Sequence, residues 1–208
     1  MTESDAPQLY LVSPPEFGLS DFPKTLAHVL DAHEVACVRL ALATWEEDRI
    51  SRAADALREV CHAAEVALVI DTHSGLVERL GLDGVHLTDG SRSVRNVRKS
   101  LGGDAIVGAF CGASRHDGMT AAEQGADYVA FGPVRDTGLG DGSIAERGLF
   151  EWWSEVIEVP IVAEGAHDTA TVASLGNVTD FLALGEELWS TDDPVATLSA
   201  LKAAMAPG

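Results

Sequence analysis

Eight short apolar runs recur along this chain, each followed by a longer segment with helical spacing, and this alternation constrains the fold more than any other feature. The runs are LYLVS (9–13), VACVRLAL (35–42), VALVID (66–71), DGVHL (83–87), AIVGAF (105–110), DYVAFG (127–132), VPIVAEG (159–165) and DFLALG (180–185). Continuous β-branched runs, rather than alternating ones, mark strands buried on both faces, as in a parallel sheet covered by helices. Between them, segments such as 46–63 place Ile50, Ala53, Ala54, Leu57, Val60 and Cys61 three or four residues apart, the stripe of an amphipathic helix. Similar segments fall at about 22–32, 74–80, 91–101, 114–124, 146–157, 167–175 and 193–205. Eight strand–helix units in 208 residues predict a single (β/α)8 barrel domain over 1–208, an α/β fold of the TIM-barrel type. An open doubly wound sheet is the competing arrangement, but no GxGxxG follows the first strand.

Three of the runs, DGVHL, GADYVAFGP and NVTDFLALG, share an acid followed by apolar residues and then a glycine or polar break. Such similarity is expected of successive barrel units.

Charge and cysteine content narrow the partners. The chain carries 33 acidic and 14 basic residues, a formal charge of −19, with a pI near 4.5. So few cations disfavour a nucleic-acid backbone, and the plain reading is a solubilising surface. Cys37, Cys61 and Cys111 lie far apart, in neither disulfide nor zinc spacing, which fits a reducing compartment. With no long apolar stretch and an acidic, polar start, the expectation is a soluble cytoplasmic protein acting on a small molecule, not a membrane. Trp152 and Trp153 are adjacent on a predicted outer helix, so one of them is expected to face outward, a possible contact in a homo-oligomer.

In a barrel, polar residues at the C-terminal ends of strands face the active-site mouth. Arg39 interrupts an apolar strand and needs a neutralising neighbour: a carboxylate such as Asp71, or a bound phosphate. Asp71 and Asp89 either hold Mg2+ together or cap the elements that follow them. His86 lies inside a strand and reads as a hydrogen-bonded core histidine before an acid–base group. Glu164, at the end of strand seven, either pairs with Arg39 or Arg135 or acts as a base, with pairing the safer reading.

GLDGVHL, GADYVAFGPV, VPIVAEG and TDFLALG, together with the opening LYLVSP, occur in an order and spacing that resemble the thiamine-phosphate synthases and the TenI-type thiazole tautomerases. The resemblance implies the same barrel. For the synthases it implies the joining of hydroxymethylpyrimidine diphosphate to a thiazole phosphate, with loss of pyrophosphate and help from Mg2+. By position it implies Arg39 for the diphosphate, Asp71 and Asp89 for Mg2+, and Thr137, Gly165 and Gly185 for the thiazole phosphate. From their places at the strand ends, Glu164 is a further catalytic candidate and His86 a further substrate-binding one.

The chain departs from the family pattern at several of these places. The family's glutamine, arginine and lysine on strand two fall on Cys37, Arg39 and Ala41. Its Asn-Asp-Asp falls on Asp71, Thr72 and His73, and its second magnesium aspartate on Ser91. Its Gly-x-Ser-x-His reads GAFCG from Gly108 to Gly112, and its last phosphate turn reads Gly185 and Glu186. These replacements raise a second possibility, a barrel of the same family that binds or regulates without catalysis, or that takes a non-phosphorylated substrate.

Overall fold

The computed structural model describes residues 6–136, 143–165 and 168–205. Its strands are β1 (Gln8–Val12), β2 (Cys37–Leu40), β3 (Ala67–Asp71), β4 (Gly84–Leu87), β5 (Ile106–Phe110), β6 (Tyr128–Phe131), β7 (Ile161–Glu164) and β8 (Phe181–Leu184). All eight run parallel in chain order and close into a barrel, with Leu11 of β1 opposite Leu184 of β8. The helices are α1 (Phe22–Ala32), α2 (Glu47–Ala63), α3 (Val77–Leu80), α4 (Val94–Leu101), α5 (Arg115–Glu123), α6 (Arg147–Val156), α7 (Thr169–Leu175), the short α8 (Glu186–Trp189) and α9 (Pro194–Met205).

Strand alternation divides the apolar residues into two layers. Leu9, Leu11, Val38, Leu40, Leu68 and Ile70 point outward and pack with the helices in the larger core. Tyr10, Cys37, Val69, Tyr128, Ala130, Val162 and Ala183 point inward and fill the barrel. Gly108 makes room for one of the two tyrosines, Tyr128. A Cβ there would stand 2.0 Å from Cζ of Tyr128, so the tyrosine ring occupies space that any side chain on β5 would take.

The repeated acid has a structural role at the N-terminal end of the barrel. Asp83, Asp127 and Asp180 each precede an even-numbered strand, and each carboxylate accepts the backbone N–H of Leu68, Val107 or Ile161 on the strand before. These bonds are 2.7, 2.7 and 2.8 Å long and tie strands together in pairs at the face away from the active-site mouth.

Of the adjacent tryptophans on α6, Trp153 is fully buried and Trp152 half-buried, with the Arg115 guanidinium 4.7 Å from its ring centre. Among the described residues, no helix is long and apolar enough to cross a membrane.

Candidate active site at the mouth of the barrel

The apolar strand β2 delivers one cation to the barrel interior. Arg39 stands inward between Val12 of β1 and Val69 of β3 and is 5% exposed. A buried guanidinium is tolerated only when its charge and donors are met. Glu164, at the end of β7, meets them with a two-point contact: Nη1 donates to Oε2 at 2.9 Å and Nη2 to Oε1 at 2.5 Å. The carboxylate of Asp71, at the end of β3, approaches from the other side, with Oδ1 3.3 Å from Nε. Burial opposes the charge on Arg39, but Glu164, Tyr10 and Asp71 outweigh it and hold the guanidinium protonated above its ordinary range. Arg39 therefore joins both carboxylates, and Arg135 pairs instead with Asp168 at 2.5 Å.

A hydrogen-bonded column stands beside this ion cluster. Oη of Tyr10 lies 2.8 Å from Oη of Tyr128, which lies 2.8 Å from Nδ1 of His86, and the His86 and Tyr128 rings stack at 5.7 Å. Burial, reinforced by Arg39, pushes the His86 imidazolium down to about 3, so the ring is neutral. When Tyr10 donates to Tyr128 and Tyr128 to Nδ1, the ring hydrogen is on Nε2, 4.0 Å from Oε2 of Glu164. Burial also raises the Asp71 carboxyl to about 6, with Glu164 adding to the rise and Arg39 opposing it. Arg39 Nε, Asp71 Oδ1 and His86 Nε2 are all buried without a hydrogen-bond partner.

The remaining predicted positions are more dispersed. Asp89 is exposed in the loop after β4, where Oδ2 accepts from Ser93 Oγ at 2.6 Å. Thr72 adopts the left-handed region at φ 61°, unusual for a β-branched residue, and its hydroxyl is 3.1 Å from that of Thr88. Ser91 donates to Asp117 Oδ1 at 3.1 Å. Gly165 has φ 91°, with Cβ of Pro133 3.3 Å from where its own Cβ would stand. At Gly185 the backbone N–H donates to Glu187 Oε2 at 3.2 Å, placing a carboxylate in the turn after β8. Thr137 lies outside the described residues. A cavity of about 440 Å3 opens to one side, between the loops after β1 and β2, and is lined by Phe17, Leu42, Arg49 and Arg52 among others. Arg39, Asp71 and Glu164 do not line it.

Tyr10 and Tyr128 escaped the sequence reading because each looks like one more apolar strand residue. The available signal was the hydroxyl: a buried tyrosine in a strand needs a hydrogen-bond partner, and inward registry supplies one.

A family profile described as thiamine monophosphate synthase matches residues 9–184. The chain belongs to the thiamine monophosphate synthase family. It is 41% identical over 185 residues to a thiamine-phosphate synthase of Rhodospirillum centenum, covering 88% of this chain and 89% of that protein. A thiamine-phosphate synthase of Erythrobacter litoralis is 38% identical, with 94% and 95% covered. In solved structures the fold is similar to thiamine phosphate pyrophosphorylase from Pyrococcus furiosus, with TM-score 0.83, 16% identity and 98% of both chains covered. A 3-hexulose-6-phosphate synthase shares the barrel with TM-score 0.69 at 16% identity, covering 95% of this chain and 99% of that one. The Arg39–Glu164 pair puts a carboxylate against the cation that β2 delivers to the barrel interior.

Proposed function

We propose that the protein is a thiamine-phosphate synthase that couples hydroxymethylpyrimidine diphosphate to a thiazole phosphate and releases pyrophosphate. The observation that carries this reading is family membership over nearly the whole chain, at 41% identity to a relative of that name. The reaction needs a mouth that tolerates a cation-like pyrimidine methylene while a diphosphate departs. Asp71 and Glu164 favour positive charge in the ligand, and Arg39 holds both carboxylates in place.

Mg2+ suits the donors available, because it is commonly held by one or two carboxylates plus substrate phosphate oxygens. Among the described residues no group of three or more His, Cys, Asp and Glu forms a metal site, so phosphate oxygens would have to complete the shell. Asp71, whose Oδ1 lacks a hydrogen bond, and Asp89 on the next loop would hold the ion. It would neutralise the leaving pyrophosphate. Thr137, Gly165 and Gly185 would contact the thiazole phosphate, a role for which the N–H of Gly185 must exchange its Glu187 partner. A cytoplasmic location fits the three free, buried cysteines. Self-association through the face near Trp152 is open to light scattering.

The test is pyrophosphate release and thiamine phosphate formation from the two substrates, with Mg2+ and with EDTA. Magnesium-dependent product supports the proposal, and its absence at millimolar substrate removes it. One observation favours a second reading, a barrel that binds a non-phosphorylated ligand without group transfer: the charge of Arg39 is already taken up by Glu164. Binding of the pyrimidine without turnover would establish that reading.

A further inference from the structure

The floor of the mouth offers a ligand an unusual pair of atoms. Glu164 and Asp71 keep 21% and 24% of their side chains accessible, whereas Arg39 and His86 beneath them keep 6% and 1%. A ligand entering the mouth therefore meets carboxylate oxygen before guanidinium. A phosphate group would face repulsion there, and an N–H donor would not. Carboxylates alone could be a salt-linked surface, but His86 adds an independent feature. Its Nε2 is buried, has no hydrogen bond, and stands 4.0 Å from Glu164 Oε2. That separation is too long for a hydrogen bond between them and spaces a donor and an acceptor side by side. The Glu164 carboxylate beside the imidazole favours the tautomer with the hydrogen on Nε2, in which Nδ1 accepts from Tyr128, Nε2 is the donor and Oε2 the acceptor.

We propose that Glu164 and His86 form a two-point reader for the amino edge of the pyrimidine, so that this end of the substrate, and not its diphosphate, seats against Glu164. A 4-aminopyrimidine presents an N–H donor next to a ring-nitrogen acceptor, the complement of Oε2 and Nε2–H. The 4-oxo analogue, protonated on the ring nitrogen, presents the reverse order and leaves both groups facing their own kind. Arg39 and the Tyr10–Tyr128 column act as positioning residues: the first fixes the carboxylate, the second holds the imidazole ring in place. The inference rests on the thiamine-phosphate synthase reading for the identity of the ring, but the recognition itself requires no phosphate.

The experiment is calorimetric titration of the full chain with unphosphorylated 4-amino-5-hydroxymethyl-2-methylpyrimidine and with its 4-oxo counterpart, repeated in the presence of inorganic pyrophosphate. The expected result is at least ten-fold tighter binding of the amino compound, with no competition from pyrophosphate, since mispaired buried polar groups are heavily penalised. In Glu164→Gln, Arg39 claims the remaining oxygen and turns the amide NH2 towards the ligand, so the preference should vanish or invert. Equal affinity for the two compounds, no binding of either, or displacement by pyrophosphate would overturn the proposal with wild-type protein alone, whether or not the variant folds. Turnover is a separate readout. Amino preference without product keeps this inference and removes the proposed reaction, and product without preference does the opposite.

Discussion

At the residue scale, the site is an arrangement of opposed proton affinities around one arginine. Asp71 has its acid raised from 3.8 to about 6, and His86 has its conjugate acid lowered from 6.5 to about 3. In the folded protein Asp71 holds its proton more tightly than in the unfolded chain, so its stabilising contribution is full below about pH 4 and is lost as pH rises through about 6. His86 works the other way. Its contribution is present above 6.5 and is lost as pH falls towards 3. Between roughly pH 4 and 6 the two slopes oppose each other. Replacing Asp71 with asparagine removes one of them, and the prediction is a steeper rise in Tm with pH across that window than in the wild type. Thermal melts at half-unit steps of pH check this, and an unchanged slope would mean that Asp71 is ionised throughout.

At the element scale, three of the four even-numbered strands share a device that has nothing to do with chemistry. The aspartates before β4, β6 and β8 accept backbone N–H groups that would otherwise start a strand without a partner. Removing Asp83 or Asp180 by alanine substitution is expected to cost about 1–3 kcal/mol each, the penalty of leaving a partly buried donor unmet. The two sites lie on different strand pairs, so the costs should add. Urea denaturation of the single and double variants reads this directly, and pyrimidine affinity should be unaltered because these residues sit at the opposite end of the barrel from Glu164.

For the molecule as a whole, closure is the governing fact. Leu9 and Tyr10 of β1 face Leu182 and Ala183 of β8, and Trp189 just beyond β8 donates from Nε1 to the carbonyl of Val12 at 2.6 Å. The first and last strands thus support each other across the seam. None of the eight described strands is left as an edge, and the barrel they form has no natural place to divide. Tryptophan fluorescence, which reports on the buried Trp153 and on Trp189, and far-ultraviolet circular dichroism should therefore trace the same urea transition. Non-coincident curves would indicate that part of the barrel opens independently.

By itself the sequence determined the barrel, its strand positions and the family, because period and order are local properties that survive without coordinates. It also placed Arg39 and Glu164 at the mouth and preferred an ion pair for each, Arg39 with a carboxylate such as Asp71 and Glu164 with Arg39 or Arg135, since a cation in an apolar strand needs a countercharge. Tertiary structure decided which carboxylates answered that need, that Arg135 belonged to Asp168, and that Tyr10, Tyr128 and His86 formed one column. These contacts join residues up to 125 positions apart. Only the closed ring brings β2 within hydrogen-bonding distance of β7, because its register sets which inward side chains meet across the barrel.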